Sequence, residues 1–360
     1  MSSRRTRCLT VDRARPDAAA IAEAAAALRA GQLVVFPTET VYGLGAHALD
    51  PEAVAGIFAA KERPSTDPLI VHIAAAGAIE TLARDVPDTA RALAARFWPG
   101  PLTLILRKLA AVPGVVTAGL DSVAVRVPAH PVALALLAAA GVPVAAPSAN
   151  RFSRPSPTIA AHVLADLDGR VDLVLDAGPT DIGIESTIVD CTVSPLVVRR
   201  AGGVPCEALA EVVNGLRIAE AIVGVETPQI APGQTLRHYA PTARLTVYTG
   251  SPAAIVTRLA GEIRTYVGQG ARVGVLAPVD DLLALAPKIA AAAARGRVVT
   301  ANLGKRQDPA AAARALFAAL RTLDAAAVDV IVASGPVTTG VGAAVWDRLQ
   351  RAAEGRVIPA

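Results

Sequence analysis

Aromatic side chains are scarce in this chain: two Trp, four Tyr and five Phe among 360 residues. A surface that grips single-stranded RNA by stacking needs aromatic faces in number, so the composition weighs against a dedicated RNA-binding module. Cysteine is also sparse. Cys8, Cys191 and Cys206 form no CxxC pair, which argues against a disulfide framework or a structural zinc site and fits a reducing cytoplasm. The histidines His47, His72, His130, His162 and His238 show neither HxxxH nor HExxH spacing, so no metal site is expected from them. Pro, His or a charge interrupts every apolar stretch within about 18 residues, which leaves no membrane span. The first residues, MSSRRTRCLTVDRARPD, are basic but lead into no apolar h-region, so no secretory signal is expected. GxxxxGK[ST] and GxSxG are absent. Gly43-Leu44-Gly45 follows a polar stretch rather than the end of a strand, which is the wrong order for a dinucleotide fingerprint.

What remains is a chain of mostly small apolar residues. Hydrophobic residues make up 53% of it, many of them alanine, and the net charge is +4. The length suits two domains, and the modest positive excess suits an anionic ligand or weak contact with RNA. Asp17 to Ala30 reads as a helix closed by Gly31, and Asp50-Pro51-Glu52 opens another that ends near Lys61. Apolar runs at Gln32 to Phe36, Leu69 to Ile73, Pro101 to Leu106, Val123 to Val127, Val142 to Ala146, Asp172 to Asp176, Ser186 to Asp190 and Leu196 to Arg200 read as strands. Residues 1–210 are therefore expected to form an α/β domain, and 211–243, proline-rich and aperiodic, a linker. Residues 244–360 show strands LTVY, RVGVLA, RVVTA and DVIVA alternating with alanine-rich helices, which predicts a small parallel sheet with helices on both faces.

Polar clusters mark the ends of several first-domain strands. In FPTETVYGLG, Thr38, Glu39 and Thr40 follow the buried run LVVF. Lys61 and Arg63 flank a loop stiffened by Pro64 and Pro68. His72 lies inside LIVHI, where a lone histidine is usually a satisfied core residue. Arg126 lies inside VAVRVP, and arginine is rarely buried without an anionic partner. That partner is an internal carboxylate such as Glu39, or a carboxylate or phosphate of a ligand. Ser148 and Asn150 end another strand, with Ser153, Ser156 and Thr158 beyond them. Glu185-Ser186-Thr187 precedes a strand, and Arg199-Arg200 ends one. Each cluster alone reads as capping or solvation. Together they point to one cleft for an anionic ligand.

FPTETVYGLG, KERPSTDPLIVHI, FWPGPLTLIL, VAVRVP, PSANRFSRPSPT, ESTIVD and VVRRAGG resemble, in order, the motifs of the YrdC-type L-threonylcarbamoyladenylate synthases. APGQTLRHYAP and NLGKRQDPAAAARALFAALRTLD resemble the linker and C-terminal domain of the long, two-domain members. The resemblance implies an open twisted α/β domain with a basic cleft, followed by a smaller Rossmann-like domain. It implies synthesis of threonylcarbamoyl-AMP and pyrophosphate from L-threonine, bicarbonate and ATP. A separate tRNA-modifying threonylcarbamoyl transferase complex would then use the product beside the anticodon. By the same resemblance, Lys61 and Arg63 hold the ATP phosphates with Asp67 near them. Ser148, Asn150 and Ser156 hold nucleotide, and Ser122 and Arg200 add to that side. Thr38, Thr40, His72, Arg126, Ser186 and Thr187 surround threonine and its carbamate, with Arg126 on the threonine carboxylate. Tyr239 covers the cleft as part of a lid, and magnesium bridges the ATP phosphates.

The chain departs from the family pattern in three places. Asp67 stands where Asn or Lys is common, Ala201 replaces the Pro of RPG, and Asp347 stands where Asn often precedes Arg-Leu. Two rival readings compete with this one. The carbamoyltransferases that mature hydrogenases carry zinc-finger cysteine pairs and an acylphosphatase module, which this chain lacks. A non-catalytic protein binding tRNA or double-stranded RNA would be betrayed by tight tRNA binding without ATP turnover.

Overall fold

The protein is described by a computed structural model covering residues 5–219, 229–233 and 238–360. Parts of the expected linker, 220–228 and 234–237 with Arg237, lie outside the described residues. The chain divides into two compact units. The first comprises Met1–Phe152 and Ser156–Thr235, and the second Ser153–Pro155 and Leu236–Ala360.

In the first unit the elements run β1 (Arg7–Thr10), α1 (Ala18–Arg29), β2 (Val34–Pro37), β3 (Tyr42–His47), α2 (Pro51–Lys61), β4 (Ile70–His72), β5 (Ala83–Arg84), α3 (Asp88–Phe97), β6 (Leu102–Lys108), β7 (Ser122–Arg126), α4 (Pro131–Ala140), β8 (Val144–Ala145), α5 (Ala160–Leu167), β9 (Leu173–Asp176), β10 (Thr187–Asp190), β11 (Val197–Arg200), α6 (Cys206–Ala210) and β12 (Arg217–Ile218). The helix starts follow their capping chemistry. The Asp17 carboxylate accepts the Ala20 N–H, and that of Asp50 accepts the N–H groups of Glu52 and Ala53. The strands form a mixed twelve-stranded sheet in the order β1-β9-β2-β3-β8-β4-β7-β6-β10-β11-β12, with β5 paired to β6.

Four strands of this unit went unrecognised in the sequence: the two-residue β5 and β12, and the longer β1 and β3. Arg7–Thr10 pairs with β9 at one edge; its polar, exposed residues carry no alternation to read. Tyr42–His47 folds back on β2 as a hairpin, so Gly43-Leu44-Gly45 is strand rather than loop. Gly45 answers a packing demand there. A Cβ on Gly45 would lie 2.8 Å from the Phe36 ring and 2.9 Å from Val144.

Side-chain alternation sorts the sheet into two faces. One face joins Val35, Leu44, Val71, Leu102, Leu104, Val123, Val125 and Val189 to helices α2, α3 and α5 in a continuous core. The opposite face is covered by α1 and α4 over Val34, Phe36, Val144, Leu173 and Leu175 only. Further along it, Ile70, Ala124, Ile105 and Ile188 form a small apolar floor topped by Ala231. His72 and Arg126 follow Ile70 and Ala124 by two residues on their strands and so share this face, over which no helix packs among the described residues.

The second unit contains β13 (Arg244–Thr249), α7 (Pro252–Gly268), β14 (Val273–Ala277), α8 (Val279–Ala294), β15 (Val298–Asn302), α9 (Pro309–Ala325), β16 (Val330–Ala333), α10 (Gly342–Ala352) and β17 (Val357–Pro359). Its sheet is all parallel, in the order β15-β14-β16-β13-β17. Helices α7 and α8 pack on one face through Ile255, Leu259, Ile263, Leu285 and Ile289. On the other face, α9 turns Leu323 towards Gly274. The fifth strand, β17, is too short and too exposed to register as an apolar run.

Candidate active site

The turn between β2 and β3 is Thr38-Glu39-Thr40-Val41, and it is buried: Thr38 is 2%, Glu39 5% and Thr40 1% exposed. Hairpin tips normally run over the surface, so a polar tip held inside is a feature to account for. Thr38 builds it. Its hydroxyl donates to Val41 O at 2.7 Å and accepts the N–H groups of Thr40 and Val41 at 3.2 Å. The backbone carbonyls of Glu39 and Thr40 accept from Ile182 and Gly183 at 2.8 and 3.1 Å, which clamps the loop before β10 onto the tip.

Arg126, the last residue of β7, meets this tip. Its Nη2 donates to Glu39 Oε1 at 2.5 Å, its Nη1 to Thr40 Oγ1 at 3.0 Å and its Nε to Gly100 O at 3.1 Å. Of the partners left open by the sequence, the internal carboxylate of Glu39 is the one present. Gly100 is placed by need, since a Cβ there would sit 2.3 Å from Phe97 O. The parallel register of β4 with β7 sets His72 directly beside Arg126. Burial, with the Arg126 charge adding to it, lowers the His72 pKa from 6.5 to about 3. The ring is therefore neutral at physiological pH, a hydrogen-bonding group rather than a cation.

A second set of side chains carries positive charge. Lys61, at the C-terminal end of α2, is 1% exposed and donates through Nζ to Asn150 O at 2.5 Å and to Ser148 O. Arg63 pairs with Asp67 at 2.9 Å and donates to the backbone carbonyls of Asp67 and Pro68. Arg200, at the end of β11, donates to Ser186 O at 3.0 and 3.1 Å, to Ser186 Oγ at 3.2 Å and to Pro232 O at 3.2 Å. Asp67 lies within the field of all these cations. Burial pushes its carboxyl pKa up, while Arg63, Lys61 and Arg200 and the Gly233 N–H pull it down. The acid that departs from the family pattern is thus engaged with its own arginine. Buried cations gathered round one carboxylate suit a polyanion.

Further hydroxyls are buried beside these groups, Ser186 Oγ accepting from Arg200. Ser186 Oγ lies 2.8 Å from Thr103 Oγ1 on the same sheet face, and Ser156 Oγ donates to Glu185 Oε1 at 2.6 Å. Gly202 holds the Glu185–Thr187 backbone close: a Cβ there would lie 2.3 Å from the Ser186 carbonyl carbon. Thr103 and Gly202 were missed in the sequence. Only the strand pairings bring them next to Ser186.

Three further expected residues have other surroundings. Ser122 opens β7, so it lies four residues and about 13 Å along the strand from Arg126. The Thr187 hydroxyl is committed to structure, donating to Val204 O at 2.6 Å and accepting Val204 N–H at 2.9 Å. Tyr239 belongs to the second unit and is 1% exposed there. Its ring lies 5.3 Å from Phe317 and 4.0 Å from His238, with the Arg348 guanidinium 5.2 Å from its centroid. Aromatic and cation–π packing thus engage its ring within its own unit.

The comparisons with known proteins agree with one another. The family model Sua5_yciO_yrdC, described as "Telomere recombination", matches residues 26–202, and Sua5_C, described as "Threonylcarbamoyl-AMP synthase, C-terminal domain", matches 204–354. The chain is 44% identical over 341 residues to a threonylcarbamoyl-AMP synthase of Pyrococcus abyssi, covering 93% of this chain and 94% of that one. It is also 44% identical over 339 residues to one of Bacillus subtilis, covering 94% of each. Among solved structures, P. abyssi Sua5 complexed with L-threonine superposes with a TM-score of 0.89 at 42% identity, covering 98% of this chain and 99% of that one.

Proposed function

We propose, for a chain that belongs to the Sua5_yciO_yrdC family and carries the C-terminal domain of the threonylcarbamoyl-AMP synthases, that it converts L-threonine, bicarbonate and ATP into threonylcarbamoyl-AMP, pyrophosphate and water. The observation that carries the reading is the buried hairpin tip, Thr38 to Val41, closed around the buried Arg126. A small amino acid offers a carboxylate to Arg126 and polar groups to Thr40, neutral His72 and Ser186. ATP offers its phosphates to Lys61, Arg63 and Arg200, with Ser148, Asn150 and Ser156 beside them.

In the reaction, the threonine ammonium gives up a proton, and the free amine takes up bicarbonate carbon with loss of water, which gives an N-carboxylate. A carboxylate oxygen then attacks the α-phosphorus, the bond to the bridging oxygen breaks, and pyrophosphate leaves. Negative charge builds on the leaving group, so fixed cations favour the transition state over the ground state. No side-chain nucleophile is needed; orientation of two anions towards each other is the main task.

Among the described residues no group of three or more His, Cys, Asp or Glu could hold a metal ion. This donor set fits magnesium carried on the nucleotide's own phosphates, with Asp67 the carboxylate at that end of the site. When bound, magnesium neutralises phosphate charge. Among the described residues no helix is long and apolar enough to cross a membrane, and we assign the enzyme to the cytoplasm, where its substrates are. The product is a mixed anhydride, which calls for a downstream transferase complex acting on tRNA and for at most weak tRNA contact by this chain. The relatives' names favour this synthase over a non-catalytic RNA-binding role. The test is pyrophosphate release from purified protein with ATP and magnesium. Release requiring both L-threonine and bicarbonate is expected; release indifferent to threonine would overturn the reading.

A further inference from the structure

The Glu39–Arg126 pair is not fully used by the protein. Glu39 Oε1 accepts Arg126 Nη2. Glu39 Oε2 is buried as well and has no hydrogen-bond partner among the described residues. A buried carboxylate oxygen without a donor is costly to keep. Arg126 likewise spends one N–H each from Nε, Nη1 and Nη2, and a guanidinium has five, so two remain for another acceptor.

The groups around the pair do not fill the gap. His72 is neutral, and its Nδ1 is buried without a partner. His130 accepts the Val132 N–H on Nδ1 at 3.2 Å, so its proton sits on Nε2, which is also buried and unpartnered. Its pKa is lowered to about 4, by burial and then by Arg13, against the fields of Asp181 and Glu39. Arg13 is bonded to Asp181. Arg126 is thus the cation bonded to Glu39, and the second carboxylate oxygen lacks a positive donor.

We propose that Glu39 receives the α-ammonium of the amino-acid substrate through Oε2, beside the carboxylate held by Arg126. The buried pair is then a template for a zwitterion, its minus and plus ends set against the ligand's plus and minus ends. It selects free α-amino acids over hydroxy acids of the same shape, and holds the amine where it will be carboxylated. This inference rests on the threonine reading of the site.

The test is calorimetric binding of L-threonine and of its des-amino counterpart, (R)-3-hydroxybutanoate, to full-length protein and to Glu39→Gln. Wild-type protein should prefer threonine by at least about 100-fold, and the variant by less than about tenfold, because only the ammonium loses its counter-charge. Equal weakening of both ligands, with the preference intact, would mean that Glu39 only supports Arg126, and would overturn the inference. Should the variant not fold, the wild-type protein still decides. Near the pKa of free threonine's amine, binding measured in buffers of different ionisation enthalpy should take up protons, since the ammonium form is selected. Net proton release would overturn the inference. Absence of any threonine binding would overturn the functional reading with it; threonine binding without discrimination for the amine would overturn this inference alone.

Discussion

The two units are built on opposite principles. The second is an all-parallel sheet with helices on both faces, and its strand β14 is buried throughout. The first, among the described residues, leaves part of one sheet face without helices, and it buries Lys61, Arg63, Asp67, His72, Arg126, Ser186 and Arg200 almost completely. A sheet covered on both sides is a stable and chemically quiet object. A sheet uncovered over four strands can keep charges buried only by pairing them or by awaiting a ligand. Lys61 and Arg200 donate to backbone carbonyls, whereas Arg63 and Arg126 each pair with a carboxylate, Asp67 and Glu39.

The contrast can be tested most severely at Arg126. Arg126→Ala should remove threonine-dependent pyrophosphate release by about 10³-fold or more, and cost roughly 3–5 kcal/mol of stability by stranding Glu39. Steady-state kinetics and denaturant unfolding measure the two effects. Lys61→Ala and Arg63→Ala should lower turnover by about 10²–10³-fold, with KM for ATP affected more than KM for threonine. Uniform weakening towards both substrates would count against a nucleotide role.

Glycine substitution separates the units by sign. Gly202→Ala drives a Cβ into the Ser186–Thr187 backbone and should cost about 1–3 kcal/mol or more. Gly261→Ala, within α7 where nothing lies within 4 Å, should gain about 0.5–1 kcal/mol. Thermal melts of the two variants give the comparison directly.

The smallest effect is in acid. His72 and His130, both in the first unit, have folded-state pKa values pushed down to about 3 and about 4 from 6.5. Between those values and 6.5 the unfolded chain binds more protons than the folded one, so stability falls as pH drops through that window. The first unit should therefore soften before the second. Trp98 and Trp346 lie one in each unit, each with its indole N–H on a backbone carbonyl. Single-tryptophan variants followed by fluorescence would report each unit separately. His72→Asn should flatten the acid limb of the first unit.

Much of the fold was legible. The helix starts at Asp17 and Asp50 follow from side-chain capping, which is local, and apolar runs such as Leu102–Lys108 mark strands without help from the rest of the chain. Strand β3 was hidden because its glycines carry no hydrophobic signal; the reason for Gly45 is the ring of Phe36 and the side chain of Val144, which arrive from elsewhere. The candidate site was legible as residue types near strand ends, yet Ser122 and Arg126 are opposite ends of one strand, a separation that residue types alone do not convey. Tyr239 lies beside His238 in a proline-rich stretch, which concealed its burial against Phe317 and Arg348.

The amino-acid order alone determined the class of fold, the two-part organisation and the inventory of charged and hydroxylated residues, because propensity, capping and alternation act over a few residues. The tertiary structure decided which of those residues meet. Arg126 finds Glu39 across a separation of 87 positions and Lys61 finds the Ser148 and Asn150 carbonyls at 87 and 89. Such contacts exist only once the sheet order has been set by the burial of whole faces, a cooperative choice that no short window of sequence contains.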